Sequence, residues 1–481
     1  MTTQALQAAD YELLAAGEWR ETDSWAEVAS PYDGTPVGRV AQGDAALVDR
    51  LAIAARAAFE AGGFPQHERA AVLDRAAALV RGRVDELALT IAAEAGKPLK
   101  TARVEAARCV DTLTFAAVEA RKLSGATVPM EASAAGAGKI GLLRRVPYGV
   151  VGAISPFNFP LNLVAHKLGP ALAAGNAVVL KPAGQTPISA LKLAAILVEA
   201  GVPEGWLSVV PGPGSEVGNA IVEHELIGAI SFTGSAEVGW GIRGRVPHKK
   251  VNLELGSNAP LIVHADGDWE TAADKAKLHA FSHAGQSCIS IQRILVQEEI
   301  ADAFSERFVA NAEALRVGDP LDPETDVGPL VSAADRDRVR DWVEEAVSAG
   351  AELLTGGELV DEGRCLAPTV LGAPPREAKV WREEVFGPVA TLDRYGEFAE
   401  ALALANDSRF GLQAGVFTRG LGRGLEAAEA LEFGAVLINE VPTFRADQMP
   451  YGGVKDSGNT REGPAYAVQE LTEERFVTLQ G

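Results

Sequence analysis

Four short apolar stretches decide the fold: YGVVGAISP (148–156), NAVVLKP (176–182), IGAISFTG (227–234) and VNLELG (251–256). Helix-like segments such as ISALKLAAILVEAG (188–201) lie between them. Strands that alternate with helices predict βαβ units, in which a parallel sheet is covered by helices on both faces. The sequence therefore predicts an α/β fold built on these four runs.

The regions on either side of these runs carry different patterns. Before them, apolar residues at helical spacing fill 47–63 and 69–96, so the first third of the chain reads as helical. After them, a second α/β series begins near Ser257 and includes APLIVH (259–264), RILVQ (293–297) and AGVFT (414–418). We expect a β-hairpin arm at 124–147 and an edge strand that needs a partner at the end of the tail, 464–481.

Composition limits the class of protein. With 481 residues the chain is longer than the chains that usually fold around a single hydrophobic core, so two large domains are expected. A net charge of −21 with scattered basic residues argues against nucleic acid and anionic membrane as partners. We see no membrane-length apolar run, no leader peptide and no disulfide framework among three cysteines, so a cytoplasmic location is expected.

Three side chains are candidates for chemistry. Cys288 lies in HAGQSCISIQR (283–293), where small and polar neighbours leave a thiol approachable, although most free cysteines are small core residues. Glu254 ends an apolar strand, so it is either a solvent-facing residue or a buried carboxyl group with a raised pKa that suits a general base. Asn158, between Pro156 and Pro160, is either a helix cap or a donor to an oxyanion.

Other candidates point to a bound nucleotide. Lys181 ends a predicted strand, where cofactors bind in open α/β sheets, although a solvated charge also fits. Gly212, Gly214 and Gly218 form a GxGxxxG turn that misses the dinucleotide fingerprint by one residue. Ser235 begins a predicted helix and can donate to a pyrophosphate.

A metal site and a hydrolase site are less favoured. His279 and His283 are four residues apart, but the HExxH carboxylate is missing, so we expect no metal. A hydrolase that used Cys288 would need a base histidine and an orienting partner, and no pattern places them.

Seven motifs together resemble the aldehyde dehydrogenase superfamily from about Tyr11 to the tail: PFNFP, LKPAGQTP, FTGS, LELGSNAP, GQSC, EEVFGP and MPYGGVKDSG, in the family's order. The resemblance implies that Cys288 is the nucleophile, Glu254 the general base, and Asn158 an oxyanion donor with the Cys288 N–H. It implies oxidation of a small aldehyde to its carboxylate through a thioester, with no metal.

The resemblance also implies a binding site for NAD or NADP. Its residues would be Ile154, Ser155, Pro156, Phe157, Lys181, Ala183, Gly184, Gly214, Gly218, Phe232, Gly234, Ser235, Val238, Leu255, Gly256, Glu384 and Phe386. Many NAD-preferring relatives carry a glutamate where this chain has Gly184, and that carboxylate would repel a 2′-phosphate. Both cofactors therefore stay open.

The substrate also stays open. The segments around Arg108 and Arg445 resemble the branch that handles lactaldehyde, phosphonoacetaldehyde and semialdehydes, and an arginine can pair with a substrate anion. Phe159 and Ser287 stand where some anion-specific relatives place His and Arg. An apolar tunnel is the alternative, lined by Phe159, Trp240, Phe281 and Phe444.

The predicted architecture is a Rossmann-like NAD(P)-binding domain (1–123 and 148–256), a catalytic α/β domain (257–445), and an oligomerisation arm and tail (124–147 and 462–481) that would build a homodimer or homotetramer. Two alternatives remain. A coenzyme-A-acylating semialdehyde dehydrogenase is disfavoured because that branch generally lacks the base that Glu254 would provide. A catalytically silent nucleotide-binding relative is disfavoured by the intact Cys288, Glu254 and Asn158.

Overall fold

Two seven-stranded sheets organise the computed structural model, which describes residues 8–480. The strands, in chain order, are β1 Ala9–Tyr11, β2 Leu13–Ala15, β3 Glu18–Arg20, β4 Trp25–Ala29, β5 Pro36–Ala41, β6 Ala126–Val128, β7 Lys139–Pro147, β8 Val150–Ile154, β9 Ala177–Lys181, β10 Leu207–Val209, β11 Ala229–Thr233, β12 Lys250–Glu254, β13 Ala259–Val263, β14 Ile291–Gln297, β15 Glu352–Thr355, β16 Leu359–Val360, β17 Cys365–Leu366, β18 Thr369–Gly372, β19 Val389–Tyr395, β20 Phe410–Gly411, β21 Gln413–Phe417, β22 Ala435–Ile438, β23 Val454–Lys455 and β24 Thr472–Gln480.

Helices cover both sheets. In chain order they are α1 Ala45–Ala61, α2 Gln66–Gly82, α3 Val84–Ala95, α4 Leu99–Lys122, α5 Asn162–Ala174, α6 Pro187–Glu199, α7 Asn219–Glu223, α8 Ala236–Arg245, α9 Trp269–Phe281, α10 Ala301–Glu313, α11 Ala333–Ser348, α12 Lys379–Arg382, α13 Phe398–Asn406, α14 Leu421–Ala430 and α15 Pro464–Glu470. Within residues 8–480, none of these helices combines the length and apolar character that crossing a membrane requires.

The first sheet contains the four runs that predict the fold. Its order is β12-β11-β8-β9-β10-β2-β3, with β12 to β10 parallel. The strands β8 and β9 are almost entirely buried because helices cover both faces, which explains why their sequences are continuously apolar. The register places Ile154 beside Lys181, and Thr233 beside Glu254, so the carboxyl ends of four strands share one edge.

The second sheet begins shortly after the first ends, since β12 ends at Glu254 and β13 starts at Ala259. Its order is β15-β18-β19-β14-β13-β21-β22, and all of its pairs are parallel except β15 with β18. It has a core of its own, in which Phe304 and Phe308 stack and Phe281 lies against Phe308. The predicted α/β class is confirmed by this architecture and by the solved relatives described below.

The N-terminal region differs from the prediction. The helical reading of the first third is wrong for residues 9–41, which form the strands β1 to β5, and the first helix begins at Ala45. Three of these strands are only three residues long, too short to show an alternating pattern. They are stabilised by distant partners, since β2 pairs with β10.

A third sheet, β24-β7-β6, joins the end of the chain to its middle. Strand β24 pairs with β7 over nine residue pairs, from Thr472 with Pro147 to Gln480 with Lys139. The tail also contains α15, which packs against α4 and α5. The division into domains at 123/124, 147/148 and 256/257 stays a proposal, and its ends at residues 1 and 481 lie outside the described residues.

Candidate active site

A cleft of about 720 Å³ lies between the carboxyl edge of the first sheet and loops of the second. Such a volume falls within the ~300–1,000 Å³ that is usual for ligand pockets. The predicted site residues that line it are Pro156, Phe157, Asn158, Ala183, Gly234, Ser235, Val238, Glu254, Leu255, Gly256, Cys288, Glu384 and Phe386. Segments far apart in the chain therefore meet in one cleft.

The loop that carries Cys288 has a constrained backbone. His283 and Ala284 adopt positive φ angles of 51° and 53°. The Gln286 side chain stabilises this turn, since its amide donates to the His283 carbonyl at 3.0 Å and accepts the Val331 N–H at 2.9 Å. Only glycine fits at 285, because a Cβ there would lie 2.0 Å from the Gly387 carbonyl oxygen. The neighbouring chain thus holds the Cys288 loop in place.

The Cys288 thiol faces the cleft and has a hydrogen-bonding partner. Its Sγ lies 2.8 Å from the Tyr451 hydroxyl. Although Cys288 is partly exposed, desolvation by the surrounding protein raises the pKa of its thiol to about 12, an effect that the Tyr451 hydrogen bond opposes. The resting side chain is therefore a thiol at neutral pH, and its reaction requires a proton acceptor.

Glu254 ends β12 and lines the same cleft as Cys288. Both of its carboxylate oxygens are buried, and neither finds a hydrogen-bond partner within residues 8–480. Burial, followed by the nearby Glu462 carboxylate, raises the pKa of Glu254 well above its ordinary value, while Arg445 and Lys167 oppose the shift. A buried carboxyl group without partners is costly in a purely structural role, and such a group is a better proton acceptor than an ordinary carboxylate.

Asn158 lies in the turn after β8. Its Nδ2 donates to the Gln286 carbonyl at 2.9 Å, which leaves the second N–H of the amide for another acceptor. Within residues 8–480 no protein acceptor takes up the Cys288 N–H either. Asn158 and Cys288 line the same cleft, so the two groups offer it two unused donors, which is what stabilising an oxyanion requires.

A buried ion pair supports the Asn158 turn. Glu105 accepts the N–H groups of Leu161 at 3.0 Å and of Asn162 at 3.1 Å, which begin α5. Lys97 pairs with Glu105 and lies 3.6 Å from the centre of the Phe159 ring. The pair thus connects α4, and the loop that precedes it, to the turn that carries Asn158.

We expect Lys97→Met to lower the free energy of unfolding by about 3–5 kcal/mol, because it leaves Glu105 buried without its cation. Lys100→Met is the control, since it breaks the partly exposed pair with Asp326 and should cost less than about 1 kcal/mol. Thermal unfolding followed by circular dichroism compares the two. Equal melting temperatures for the two variants would show that the Lys97–Glu105 pair stabilises the fold no more than the Lys100–Asp326 pair does.

The predicted cofactor residues cluster along the first sheet. Glu384 accepts the Ser257 N–H at 2.9 Å, and burial raises the pKa of its carboxyl group to about 7. Gly256 makes room for it, because a Cβ there would lie 2.1 Å from a Glu384 oxygen. Phe386 packs edge-on against Phe157 at 5.7 Å between ring centres. A carboxyl group and two aromatic rings therefore border the middle of the cleft.

Other predicted cofactor residues lie outside the lining of the cleft: Ile154, Ser155, Lys181, Gly184, Gly214, Gly218 and Phe232. Lys181 Nζ donates to the Pro182 carbonyl at 2.9 Å, and its Cδ would be 3.7 Å from a Cβ at Gly218. Gly184 has open space where a side chain would stand. These residues therefore lie along the same carboxyl edge of the first sheet but outside the main cleft.

The predicted substrate residues surround a second, smaller cavity. Arg108, Phe159, Ser287 and Arg445 line a space of about 20 Å³ that also reaches Cys288. Phe444 is exposed and lies outside both cavities, and Phe281 is fully buried in the second core. The Trp240 indole donates to the Asp456 carbonyl at 3.3 Å. The structure therefore gathers the two arginines but not the predicted aromatic tunnel.

Both arginines are already paired. Arg108 makes two hydrogen bonds to Asp447, at 2.9 and 3.0 Å, and Arg445 donates to Glu462 at 2.8 Å. His166 Nε2 lies 2.9 Å from Asp447, and burial lowers the pKa of the imidazole. Internal carboxylates thus offset much of the positive charge at this cavity.

Several residues near the cleft were not predicted from the sequence. Tyr451 stands in the quoted motif MPYGGVKDSG, but no pattern assigned it a partner. Lys167 donates to Thr233 at 2.6 Å and lies 4.0 Å from Glu462. At the mouth of the cleft, Arg409 bonds Glu237 and Glu383 at 2.8 Å each. The sequence signal that could have identified such a residue is a charged side chain within an apolar stretch. Of these residues, Lys167 alone shows it.

His279 and His283, the histidine pair weighed for metal, do not converge on a site. His283 is buried with no partner for either ring nitrogen within residues 8–480, and burial lowers the pKa of both imidazoles. No group of three or more His, Cys, Asp or Glu side chains with a metal-holding arrangement occurs in the same part of the chain.

Comparison with known proteins identifies a family for nearly the whole chain. The model of the aldehyde dehydrogenase family matches residues 19–477. The chain is 43% identical over 477 residues to the 3-sulfolactaldehyde dehydrogenase of Priestia megaterium, covering 99% of each chain. It is 40% identical over 418 residues to the lactaldehyde dehydrogenase of Methanococcus maripaludis, covering 86% of this chain and 88% of the other.

Solved structures share the fold over the same length. The NAD-dependent aldehyde dehydrogenase of Sinorhizobium meliloti superposes with a TM-score of 0.96 at 36% identity, over 99% of this chain and 96% of the other. The glyceraldehyde-3-phosphate dehydrogenase of Methanocaldococcus jannaschii, complexed with NADP, superposes with a TM-score of 0.91 at 38% identity, over 96% of this chain and 100% of the other.

Proposed function

Because this chain belongs to the aldehyde dehydrogenase family, we propose that it uses NAD or NADP to oxidise a small aldehyde to its carboxylate through a thioester on Cys288. The observation that carries the proposal is the meeting of the Cys288 thiol, the Asn158 amide and the unpartnered Glu254 carboxyl group on one cleft. Nucleophile, oxyanion donor and base are the three groups that this chemistry requires.

Attack on the aldehyde is the first step of the proposed reaction. The Cys288 thiol loses its proton to the Glu254 carboxylate or to water, and the sulfur bonds to the carbonyl carbon. The carbonyl oxygen becomes an oxyanion, which accepts hydrogen bonds from the Cys288 N–H and the second Asn158 N–H. A bound NAD or NADP would supply the hydride acceptor for this carbon, and loss of the hydride would leave a thioester on Cys288.

Hydrolysis of the thioester is the second step. Glu254 takes a proton from water while the water oxygen adds to the thioester carbon. Collapse of the resulting oxyanion breaks the carbon–sulfur bond, releases the carboxylic acid and returns Cys288 as a thiolate. Because Glu254 must be deprotonated to act, its raised pKa predicts that the rate of this step increases with pH through that value.

The residues present suit a dinucleotide. The strand ends, the Gly256 gap beside Glu384 and the N-terminus of α8 at Ser235 form a continuous edge of the cleft. We assign Lys181 and Glu384 to ribose hydroxyls, and Gly234 and Ser235 to the pyrophosphate, as the resemblance implies. Gly184 stands where the resemblance places the adenosine ribose, and as a glycine it brings no carboxylate near the 2′-phosphate of NADP.

We expect Gly184→Glu to lower kcat/KM for NADP about tenfold or more, by placing a negative charge near the 2′-phosphate, while the value for NAD falls little. The substitution is sterically allowed, since a Cβ at Gly184 meets no atom within 4 Å. Gly184→Gln is the uncharged control and should spare NADP. Steady-state kinetics with both cofactors decide, and parallel losses for NAD and NADP would contradict the assignment.

The substrate is proposed to be small. The cavity beside Cys288 measures only about 20 Å³, so the space on this side of the thiol is narrow, which favours a short aldehyde chain over the bulky ring of benzaldehyde. Two of the relatives are named for 3-sulfolactaldehyde and lactaldehyde, which are short aldehydes of this kind. Since Arg108 and Arg445 are paired with carboxylates, we expect an uncharged hydroxyaldehyde to be accepted as well as an anionic one.

Assembly and location belong to the same proposal. The sheet formed by β7 and β24 exposes Ile140, Phe476 and Leu479, each about half accessible, as expected of a surface that a second copy covers. We therefore propose a homodimer or homotetramer. The cytoplasm is the proposed compartment, because a nucleophilic cysteine must stay reduced.

The test of the proposed function is the initial rate of NADH or NADPH formation by the purified protein. The panel is lactaldehyde, glycolaldehyde, 3-sulfolactaldehyde, succinic semialdehyde and benzaldehyde, each with and without coenzyme A. Formation of the free carboxylate without coenzyme A supports the proposal. A strict requirement for coenzyme A would indicate the acylating reaction, and cofactor binding without turnover on any aldehyde would indicate a silent relative.

A further inference from the structure

Tyr451 is the residue in contact with the Cys288 sulfur. Its hydroxyl lies 2.8 Å from Sγ, and its ring is buried together with Leu412 and Ile289. Within residues 8–480 this hydroxyl has no other hydrogen-bond partner, so Cys288 alone satisfies it. A phenylalanine would fill the same apolar space without burying a polar group. The hydroxyl therefore requires an explanation beyond packing.

The direction of the hydrogen bond follows from the chemistry of Cys288. When the sulfur is a thiol, either atom can donate. When the sulfur is a thiolate, it has no proton, so the phenol must donate. A hydrogen bond to a charged acceptor is stronger than one between neutral groups. The contact therefore stabilises the thiolate more than the thiol.

Arg445 strengthens this effect. Its guanidinium lies 3.8 Å from the centre of the Tyr451 ring, and it is itself held by Glu462 at 2.8 Å. A cation over a phenol ring makes the hydroxyl a better donor. Burial raises the pKa of both Tyr451 and Cys288, and the Arg445 charge opposes that rise. The Arg445 charge, which the sequence analysis weighed for substrate anions, thus faces the ring beside the nucleophile.

We propose that Tyr451 is a further catalytic residue, whose hydroxyl donates a hydrogen bond to the Cys288 sulfur whenever that sulfur carries negative charge. This inference rests on the proposed role of Cys288. It applies twice: as the thiol ionises before the carbon–sulfur bond forms, and as that bond breaks in thioester hydrolysis and its electron pair returns to sulfur. The phenol keeps its own proton in both steps, so no oxidant or further proton acceptor is needed.

The experiment is the rate of Cys288 alkylation by iodoacetamide, measured from pH 7 to 9 on the full chain. We expect Tyr451→Phe to slow alkylation about three- to tenfold, because the thiolate fraction falls while the remaining thiolate is more nucleophilic. Turnover should fall as well. Tyr466→Phe is the matched control, since it removes a phenol from the exposed face of α15 and should change neither rate.

A second variant separates donation from packing. Replacing Tyr451 by 3-fluorotyrosine keeps the ring and makes the phenol more acidic, so alkylation should become faster than in the unmodified protein. A structural role alone would move both variants in the same direction. An alkylation rate for Tyr451→Phe equal to that of the unmodified protein would overturn the inference.

The outcome is distinguishable from failure of the proposed function. Alkylation reports the contact between Tyr451 and Cys288 without requiring turnover. If Cys288→Ala still oxidised aldehydes, the proposed function would fail whatever the alkylation rates. If Cys288→Ala were inactive and Tyr451→Phe alkylated normally, only the role of Tyr451 would fail.

Discussion

Replacing Cys288 by alanine is expected to lower aldehyde oxidation on the order of a thousandfold or more, because every later step depends on the carbon–sulfur bond. The residue lines the cleft with partial exposure, so the smaller side chain should not disturb the core. Cofactor binding should survive, since none of the groups assigned to the ribose or pyrophosphate contacts the thiol. The measurements are steady-state turnover and, separately, cofactor titration by fluorescence.

Two further variants sharpen this test. Cys288→Ser keeps the size of the side chain but replaces the thiol by a weak nucleophile, so it should be nearly as inactive as alanine. Cys365→Ala removes a buried cysteine of β17 that does not line the cleft and should keep most of the activity. Normal turnover in Cys288→Ala would exclude a covalent mechanism at this residue.

Replacing Glu254 by glutamine is expected to permit one round of cofactor reduction and then to stall. The amide has the size of the carboxyl group but cannot take a proton from water, so the thioester should hydrolyse about 10²–10⁴ times more slowly. Mixing enzyme with aldehyde and cofactor should give a burst of about one reduced nicotinamide per active site. Mass spectrometry of the stalled protein should find the acyl group on Cys288.

The pH dependence gives an independent check of the same step. In the unmodified protein, thioester hydrolysis should become faster as pH increases through the raised pKa of Glu254, because the deprotonated form is the base. Glu254→Gln should lose this rise. Glu199→Gln, at a surface pair with Arg83, is the control and should keep both the rate and its pH profile. A Glu254→Gln variant without a burst would move the role of Glu254 from hydrolysis to the first step.

Much of the fold was predictable from local patterns. The apolar runs of β8, β9, β11 and β12 are continuous because both faces of that sheet are covered, and this burial leaves its mark on the sequence itself. The predicted resemblance to the aldehyde dehydrogenase superfamily is confirmed over residues 19–477. The short strands β1 to β3 were not predicted, because three residues are too few to show the alternation of apolar and polar side chains that indicates a strand.

Parts of the candidate site were predictable for a related reason. Asn158, Lys181 and Glu254 lie at or just after strand ends, and the carboxyl ends of parallel strands share one edge of a sheet, which is where ligands bind in open α/β sheets. The partners of these residues were not predictable. Tyr451 is 163 residues from Cys288 in the chain. Arg445 is buried against Glu462 in a loop, and a loop has no periodic pattern from which its path could be predicted.

By itself, the sequence determined the α/β class, the family and the strand ends that carry Asn158, Lys181 and Glu254, because burial and backbone periodicity act on residues that are near one another in the chain. Only the tertiary structure decided that a phenol contacts the Cys288 sulfur, that carboxylates hold Arg108 and Arg445, and that Glu254 has no hydrogen-bond partner within residues 8–480. Those properties depend on distances between segments far apart in the chain, and they set the pKa values and charges on which the proposed chemistry depends.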